Sequence, residues 1–168
     1  MVIENQGGSE NWGFQIRKPE RPHRAGWEAL FRKYFEFYEA PQRQAVIDSA
    51  WNRIVEGRNP HGLLALDGDQ QAVGLVHYLF HPSTWTTDPY CYLQDLYVDE
   101  AWRGKGVGRA LIEAVYRAAD EKPASQVYWL TQHFNAEARL LYDRVGELTP
   151  FIKYARLGPH AAAARGED

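Results

Sequence analysis

The stretch Leu93-Gln-Asp-Leu-Tyr-Val-Asp-Glu-Ala-Trp-Arg-Gly-Lys-Gly-Val-Gly108 joins a strand pattern to a helix pattern through a glycine-rich turn. We predict the strand over Cys91–Val98, where aromatic and branched residues are frequent. We predict the helix over Val107–Asp120, because small and aliphatic residues recur on one face. This strand-turn-helix unit indicates an α/β fold, and the rest of the chain can be placed around it.

The turn carries glycine at every second position and two cations. Glycine permits positive φ and close approach of the backbone to a ligand. Amides at the start of a helix attract an anion, to which the helix dipole adds about 0.3–1 kcal/mol. We therefore predict a pyrophosphate-binding turn, although a tight turn without a ligand is the alternative. Its residues are Arg103, Gly104, Lys105, Gly106, Val107 and Gly108.

Two common phosphate-binding motifs fail on spacing. A P-loop requires Gly-Lys followed by Ser or Thr, whereas Lys105 is followed by Gly106 and Val107. A dinucleotide fingerprint requires a third glycine, and that position is Arg109 or Leu111. The remaining pattern, Arg103-x-x-Gly106-x-Gly108 after a hydrophobic strand, resembles the acetyl-CoA-binding motif of the GNAT superfamily of N-acetyltransferases.

A second stretch, Asn135 to Gly146, resembles another GNAT segment. In that segment an asparagine, a small residue and a tyrosine lie on the helix after the fifth strand, here predicted over Val127–Thr131. Asn135 is suited to cap the helix and Gly146 to end it. Tyr142 alone would be interpreted as a core aromatic residue. Together with the glycine turn it favours a functional role.

The predicted element order is β-α-α-β-β-β-α-β-α-β, and the GNAT resemblance covers about 14–157. It implies a mixed, mostly antiparallel sheet of about six to seven strands with four flanking helices, the fourth and fifth strands splayed apart. We expect one domain over 1–168, with flexible ends at 1–12 and 158–168. The other predicted elements are strands at Gly13–Arg17, Leu63–Asp67, Gln71–Phe80 and Phe151–Leu157, and helices around Trp27–Tyr38 and Ile47–Val55.

Composition excludes several classes of function. The formal charge of −3 over 168 residues, with no basic stripe, argues against a nucleic-acid partner. No apolar run is long enough to span a membrane. Cys91 is the single cysteine and the six histidines are dispersed, so we expect no disulfide and no metal site. The N-terminus lacks a signal pattern, which predicts a cytoplasmic protein.

The resemblance also implies a chemistry. The pantetheine arm of acetyl-CoA would pair with the fourth strand at Leu96, Tyr97 and Val98, and the amide of Leu96 would stabilise a tetrahedral oxyanion. The thioester would lie near Asn135 and Tyr142. Tyr142 would then act as the general acid that protonates the departing thiolate.

The general base is the point where the chain departs from the spermidine/spermine and histone-type subgroup, which its motifs resemble most. Spermidine/spermine acetyltransferases carry a glutamate where this chain has Gln94. Asp95 is the neighbouring acid, but adjacent strand residues normally face opposite sides of a sheet. Either a water chain removes the proton, or Asp95, a candidate catalytic residue, orients the amine. Asp95 could equally be a structural acid that caps a turn or pairs with an arginine.

Three functions remain open at this level. They are acetylation of a small amine, acetylation of a protein lysine or N-terminus, and acyl-CoA binding without catalysis. The aromatic first two helices favour a small acceptor pocket, although most of their rings should be core, and Trp85 is either a cover for the acceptor or a surface anchor. Because 14% of residues are aromatic, we also expect a homodimer.

Overall fold

The computed structural model describes residues 13–156 and Gly158. Its internal contacts divide the chain into two units, Met1–Gln132 and His133–Asp168, and each is described by itself. In the first unit the elements are β1 (Phe14–Arg17), α1 (Arg24–Phe37), α2 (Gln44–Val55), β2 (His61–Asp67), β3 (Ala72–His81), β4 (Tyr90–Val98), α3 (Val107–Glu121) and β5 (Gln126–Tyr128). The second unit contains α4 (Ala136–Val145).

The five strands form one mixed sheet in the order β1-β2-β3-β4-β5. The first four pair antiparallel, and β4 pairs parallel with β5. One face packs against α1 and α2, where Leu64, Leu66 and Leu75 join the core. The other face packs against α3. The helix approaches Gly74 so closely that a Cβ atom on this residue would lie 2.9 Å from Val107 Cγ1. The predicted GNAT fold is confirmed.

Aromatic rings of α1 and α2 form the centre of the core. Trp27 is fully buried, with its ring centroid 5.1 Å from that of Phe31 and 5.0 Å from that of Trp51. Such tilted ring pairs add about 0.5–1.5 kcal/mol to the burial of their area. Most of the aromatic surplus in these helices is therefore core packing, as expected.

A β-bulge interrupts β4 at Gln94. His77 of β3 lies opposite Asp95 and Tyr78 lies opposite Leu93, so Gln94 has no partner in the ladder. A bulge adds one residue and shifts the following side chains relative to the regular alternation. Asp95 therefore lies on the α1 face with His77, whereas Leu93 lies opposite Tyr78 on the α3 face.

The splay between the fourth and fifth strands is confirmed by their short pairing. β5 contacts β4 only from Tyr90 to Tyr92. In the described part of the chain, positions 93–98 of β4 pair with β3 alone. One side of this strand segment is thus an open edge.

Three predictions about the sheet are wrong. It has five strands in the described residues, not six to seven, and β5 is shorter than Val127–Thr131. The predicted strand Phe151–Leu157 is absent over 151–156, and Leu157 lies outside the described residues. An alternating pattern of side chains forms a strand only where one face of the segment is buried. Here Phe151, Ile152 and Tyr154 are all exposed. The predicted flexible ends lie outside the described residues except for Gly158.

Candidate active site

The turn between β4 and α3 has the backbone conformation that its glycines predict. Gly104 and Gly106 have φ of 72° and 82°, and Gly106 is the N-cap of α3. The first backbone bond of the helix runs from the amide of Ala110 to the carbonyl of Gly106, at 3.0 Å. The amides of Val107 and Gly108 precede it and have no acceptor inside the helix. The turn therefore presents backbone donors suited to an anion.

Two contacts fix this turn to the sheet and to α1. The side chain of Val107 is buried beneath it, in the space that Gly74 leaves open on β3. Lys33 Nζ of α1 lies 2.7 Å from Asp99 Oδ2, and Asp99 Oδ1 accepts a hydrogen bond from the amide of Ala101 at 3.1 Å. The hydrogen bond from Lys33 lowers the pKa of Asp99. The turn is thus anchored to the sheet and to α1.

The two predicted cations flank the turn on its exposed side. Arg103 Nε donates to the carbonyl of Val98 at 3.3 Å, and its guanidinium lies 5.9 Å from the centre of the Tyr97 ring. The Lys105 ammonium lies 5.0 Å from the Trp102 ring centre. Both side chains are exposed, so they add positive potential to the turn.

The open edge of β4 includes the residues predicted to hold the pantetheine arm. Leu96, Tyr97 and Val98 pair with Val76, Leu75 and Gly74 of β3. Their other side has no strand partner within residues 13–156. An unpaired edge can accept an extended chain by backbone hydrogen bonding.

Asp95 is buried on the α1 face of β4, with only 7% of its surface exposed. His77 Nδ1 lies 3.0 Å from Asp95 Oδ2, and Tyr34 lies near enough to this carboxylate to feel its charge. Its partners are therefore neither an arginine nor a turn amide. Because of the bulge at Gln94, the expectation that adjacent residues face opposite sides does not apply here.

Three tyrosines experience the charge of this carboxylate. Burial and the nearby Asp95 raise the pKa of Tyr34, Tyr38 and Tyr92. Tyr34 belongs to α1 and Tyr38 follows it directly, so the first helix contributes rings to this region as well as to the core. Trp85, with 80% of its surface exposed, lies in the loop before β4.

Sequence reasoning missed His77 and Tyr34. His77 is one of the six dispersed histidines, and Tyr34 lies in a helix whose rings are mostly expected in the core. One available signal was the position of His77 inside the apolar strand Ala72–His81, where a buried titratable residue requires a partner. The identity of that partner depends on the pairing of β3 with β4.

In the second unit, Asn135 caps α4 as predicted. Its Oδ1 accepts a hydrogen bond from the amide of Ala138 at 3.5 Å, and the helix ends at Gly146, whose amide bonds to the carbonyl of Tyr142 at 2.8 Å. Asn135 and Tyr142 are about two turns apart along this helix. Their roles toward acetyl-CoA remain predictions.

Residues 13–156 contain no cluster of three or more histidine, cysteine, aspartate or glutamate side chains arranged to hold a metal ion. Within the same described range, no helix is both long and apolar enough to cross a membrane.

Comparison with known proteins identifies the family. The model of the Acetyltransferase (GNAT) family matches residues 25–146. The chain belongs to this family. The match includes α1, the whole of β4 and α3, and α4, and therefore every element that carries a candidate site residue.

Curated relatives of this GNAT enzyme are acetyltransferases. A D-amino-acid N-acetyltransferase of Saccharomyces cerevisiae is 37% identical over 145 residues, which cover 85% of this chain and 90% of the relative. A thialysine N-epsilon-acetyltransferase of Mus musculus is 32% identical over 126 residues, covering 70% of this chain and 74% of the relative. The protein is thus an acetyltransferase.

Solved structures share the fold at low sequence identity. A ribosomal-protein-alanine N-acetyltransferase from Brucella melitensis biovar Abortus 2308 has a TM-score of 0.73 at 21% identity, covering 86% of this chain and 99% of that one. The aminoglycoside N-acetyltransferase AAC(6')-Iy, in complex with CoA, has a TM-score of 0.74 at 18% identity, covering 86% and 94%. These similarities concern the fold alone.

Proposed function

We propose that this GNAT enzyme transfers the acetyl group of acetyl-CoA to the primary amine of a small, amino-acid-like molecule, in the cytoplasm. The observation that carries the proposal is the positive-φ turn at the N-terminus of α3, which follows the open edge of β4. A pyrophosphate and an amide-containing arm are the two parts of CoA that such a turn and edge would bind.

In this proposal the turn binds the pyrophosphate through the amides of Val107 and Gly108, and Arg103 and Lys105 contribute charge. The pantetheine arm pairs with Leu96–Val98. The thioester carbonyl would then lie beside a β4 amide, assigned to Leu96. A fixed amide donor stabilises the oxyanion of the tetrahedral intermediate.

The reaction is direct acyl transfer. The lone pair of a neutral amine attacks the thioester carbon, and collapse of the intermediate breaks the carbon–sulfur bond. The amine gives one proton to water, and the CoA thiolate gains one, for which Tyr142 is the proposed donor. Asn135 is proposed to hold the pantetheine arm near it. We expect no metal requirement, because acyl transfer from a thioester needs no Lewis acid.

The acceptor class is supported by the relatives and by Asp95. The yeast relative is named for D-amino acids and the mouse relative for thialysine, which are small amines. Asp95 is a buried acid with tyrosines around it, a setting suited to one amine of limited size. Within the spermidine/spermine and histone-type subgroup, we therefore favour a small molecule over a histone-like tail.

The direct test is a panel of acceptors with purified protein and acetyl-CoA, read by mass spectrometry of the acetylated product. The panel contains D- and L-amino acids, thialysine, spermidine and a lysine-rich peptide, each with and without a chelator. We expect kcat/KM for an amino acid or thialysine to exceed that for the peptide at least tenfold, with no effect of the chelator.

Two results would contradict the proposal. Preference for the peptide would assign the enzyme to protein acetylation. Binding of acetyl-CoA by calorimetry without turnover of any amine in the panel would favour a non-catalytic acyl-CoA-binding domain.

A further inference from the structure

A chain of buried hydrogen bonds connects α1, β3 and β4 behind Asp95. Trp27 Nε1 donates to His77 Nε2 at 2.8 Å, and His77 Nδ1 lies 3.0 Å from Asp95 Oδ2. Trp27 is fully buried, and His77 is only 2% exposed. All three residues belong to the first unit of the chain.

The direction of the first bond determines the protonation of His77. An indole nitrogen can only donate, so Nε2 of His77 must accept and carries no proton. A charged imidazolium would place a second hydrogen between Nε2 and the indole. His77 is therefore neutral with its proton on Nδ1, from which it donates to Asp95.

With this protonation state, His77 cannot act as the general base. Its one lone pair is occupied by Trp27, and its one proton is held by Asp95. The ring is also too deeply buried to contact an acceptor directly. Its contribution is to fix the orientation of the Asp95 carboxylate.

The carboxylate itself has unused capacity. An ionised carboxylate offers about four lone-pair sites, of which His77 occupies one. In the described residues no lysine or arginine side chain pairs with it. A buried anion held only by neutral donors is complementary to a small cation that brings its own N–H groups.

We infer that Trp27 and His77 form a positioning relay that aims Asp95 at the ammonium group of the acceptor. The inference rests on the proposed function, since it names the subsite where the acceptor amine is recognised. Tyr34, Tyr38 and Tyr92 lie near enough to this carboxylate to feel its charge, and the ring centroids of Tyr34 and Tyr38 are 4.9 Å apart. The amine binds in its protonated form and gives one proton to water before its lone pair attacks the thioester.

The first test is independent of activity. Long-range proton–nitrogen correlation spectra of the purified protein report which ring nitrogen of each histidine is protonated. The His77 signals are assigned by their loss in His77→Asn. We expect His77 with Nδ1 protonated and Nε2 bare between pH 6 and 8, and a change in this pattern in Trp27→Phe, which keeps a ring but lacks the indole donor. His77 with its proton on Nε2 in the parent protein would overturn the relay.

The second test separates positioning from folding. His77→Leu removes the donor to Asp95, whereas His77→Asn places an amide N–H near the position of Nδ1. We expect His77→Leu to raise the KM for the acceptor roughly 10- to 100-fold, the effect of losing one hydrogen bond to a charged group. His77→Asn should recover most of this loss, and the Kd for acetyl-CoA should stay within about twofold in both.

The outcomes of the two tests are distinct. Equal acceptor KM for parent and His77→Leu, both folded by circular dichroism, would overturn the relay while leaving the proposed function intact. Failure of the parent to acetylate any amine would contradict the proposed function, and the tautomer measurement would still decide the relay. If His77→Leu does not fold, the acceptor KM of Trp27→Phe decides in its place, and an unchanged value there counts against the relay.

Discussion

At the scale of single residues, Asp95 is the side chain whose environment departs most from that of an ordinary strand residue. It is buried, it lies 3.0 Å from His77 Nδ1, and no lysine or arginine pairs with it in the described residues. Burial of such a charge is unfavourable unless it is compensated. A cationic acceptor would supply that compensation.

Asp95→Asn is therefore expected to raise the KM for the acceptor at least tenfold, because the amide keeps the shape and loses the charge that strengthens the hydrogen bond. The Kd for acetyl-CoA, measured by calorimetry, should not change. Asp120→Asn, at an exposed position near the end of α3, is the control for the altered net charge. Equal acceptor KM in all three proteins would make Asp95 a structural acid.

Tyr142→Phe tests the proton donor proposed on α4. A phenol with an ordinary pKa near 10 is protonated at neutral pH and can protonate a thiolate with a pKa near 8.5. The driving force is small, so we expect kcat to fall about 100-fold, at the low end for a positioned acid. Affinity for acetyl-CoA and the circular dichroism spectrum should be retained. Near-normal turnover from pH 6 to 9 would show that Tyr142 serves packing.

At the scale of elements, the turn before α3 depends on two different properties of glycine. Gly106 supplies a backbone conformation with φ of 82°. Gly74, on the neighbouring β3, supplies space, since its absent side chain lets Val107 and Leu111 of α3 approach the sheet. Each property gives a separate prediction.

Gly106→Val should weaken acetyl-CoA binding at least tenfold, because a β-branched residue resists positive φ and its side chain obstructs the amides of the turn. Gly57→Val is the matched control. Gly57 has φ of 70° just after α2, and a Cβ atom there would meet open space. Valine at this position therefore causes backbone strain similar to that at Gly106, but away from the turn. Calorimetry should show weakened binding for Gly106→Val alone. An unchanged Kd in this variant would remove the turn from the cofactor site.

Gly74→Ala should lower both stability and acetyl-CoA affinity. The new methyl would lie 2.9 Å from Val107 Cγ1 and 3.1 Å from Leu111 Cδ1, so the start of α3 must shift. Overpacking of this kind costs about 1–3 kcal/mol. Gly62→Ala is the control, because its methyl would lie 2.8 Å from Ile54 Cγ2 on the opposite face of the sheet. Thermal melting should fall in both variants, and acetyl-CoA affinity only in Gly74→Ala.

At the scale of the whole molecule, the segment after α4 bears large apolar side chains that are exposed in the single chain. Leu148, Phe151, Ile152 and Tyr154 are each more than 70% exposed. Contiguous apolar surface of this kind is typical of an interaction site. The expectation of a homodimer thus rests on this segment, because most rings of the first helices are buried in the core or packed against it.

Light scattering at micromolar concentration should give twice the mass of one chain. The double variant Phe151→Glu/Tyr154→Glu should give the mass of one chain, since two charges in an apolar interface are unfavourable. Trp85→Glu, a similarly exposed aromatic position outside the segment, should remain dimeric. A monomeric parent protein would contradict the prediction.

The local features of this fold follow from the sequence because they depend on neighbours within a few residues. The helix periodicities, the N-cap at Asn135 and the glycines of the 103–108 turn each specify their own backbone, and the structure confirms all of them. The excluded phosphate motifs and the family resemblance depend on the same short-range spacing. The resemblance to the family is therefore visible in the sequence without any knowledge of strand pairing.

Strand pairing determined the features that the sequence did not predict. The bulge at Gln94 arises from the register of β3 against β4, and it brings Asp95 to His77 and, through His77, to Trp27. The predicted strand Phe151–Leu157 does not form over 151–156 for the same reason, because an alternating pattern becomes a strand only where a partner and a buried face exist. Sequence periodicity describes one segment at a time. Register and burial are properties of two segments together, and only the tertiary structure specifies them.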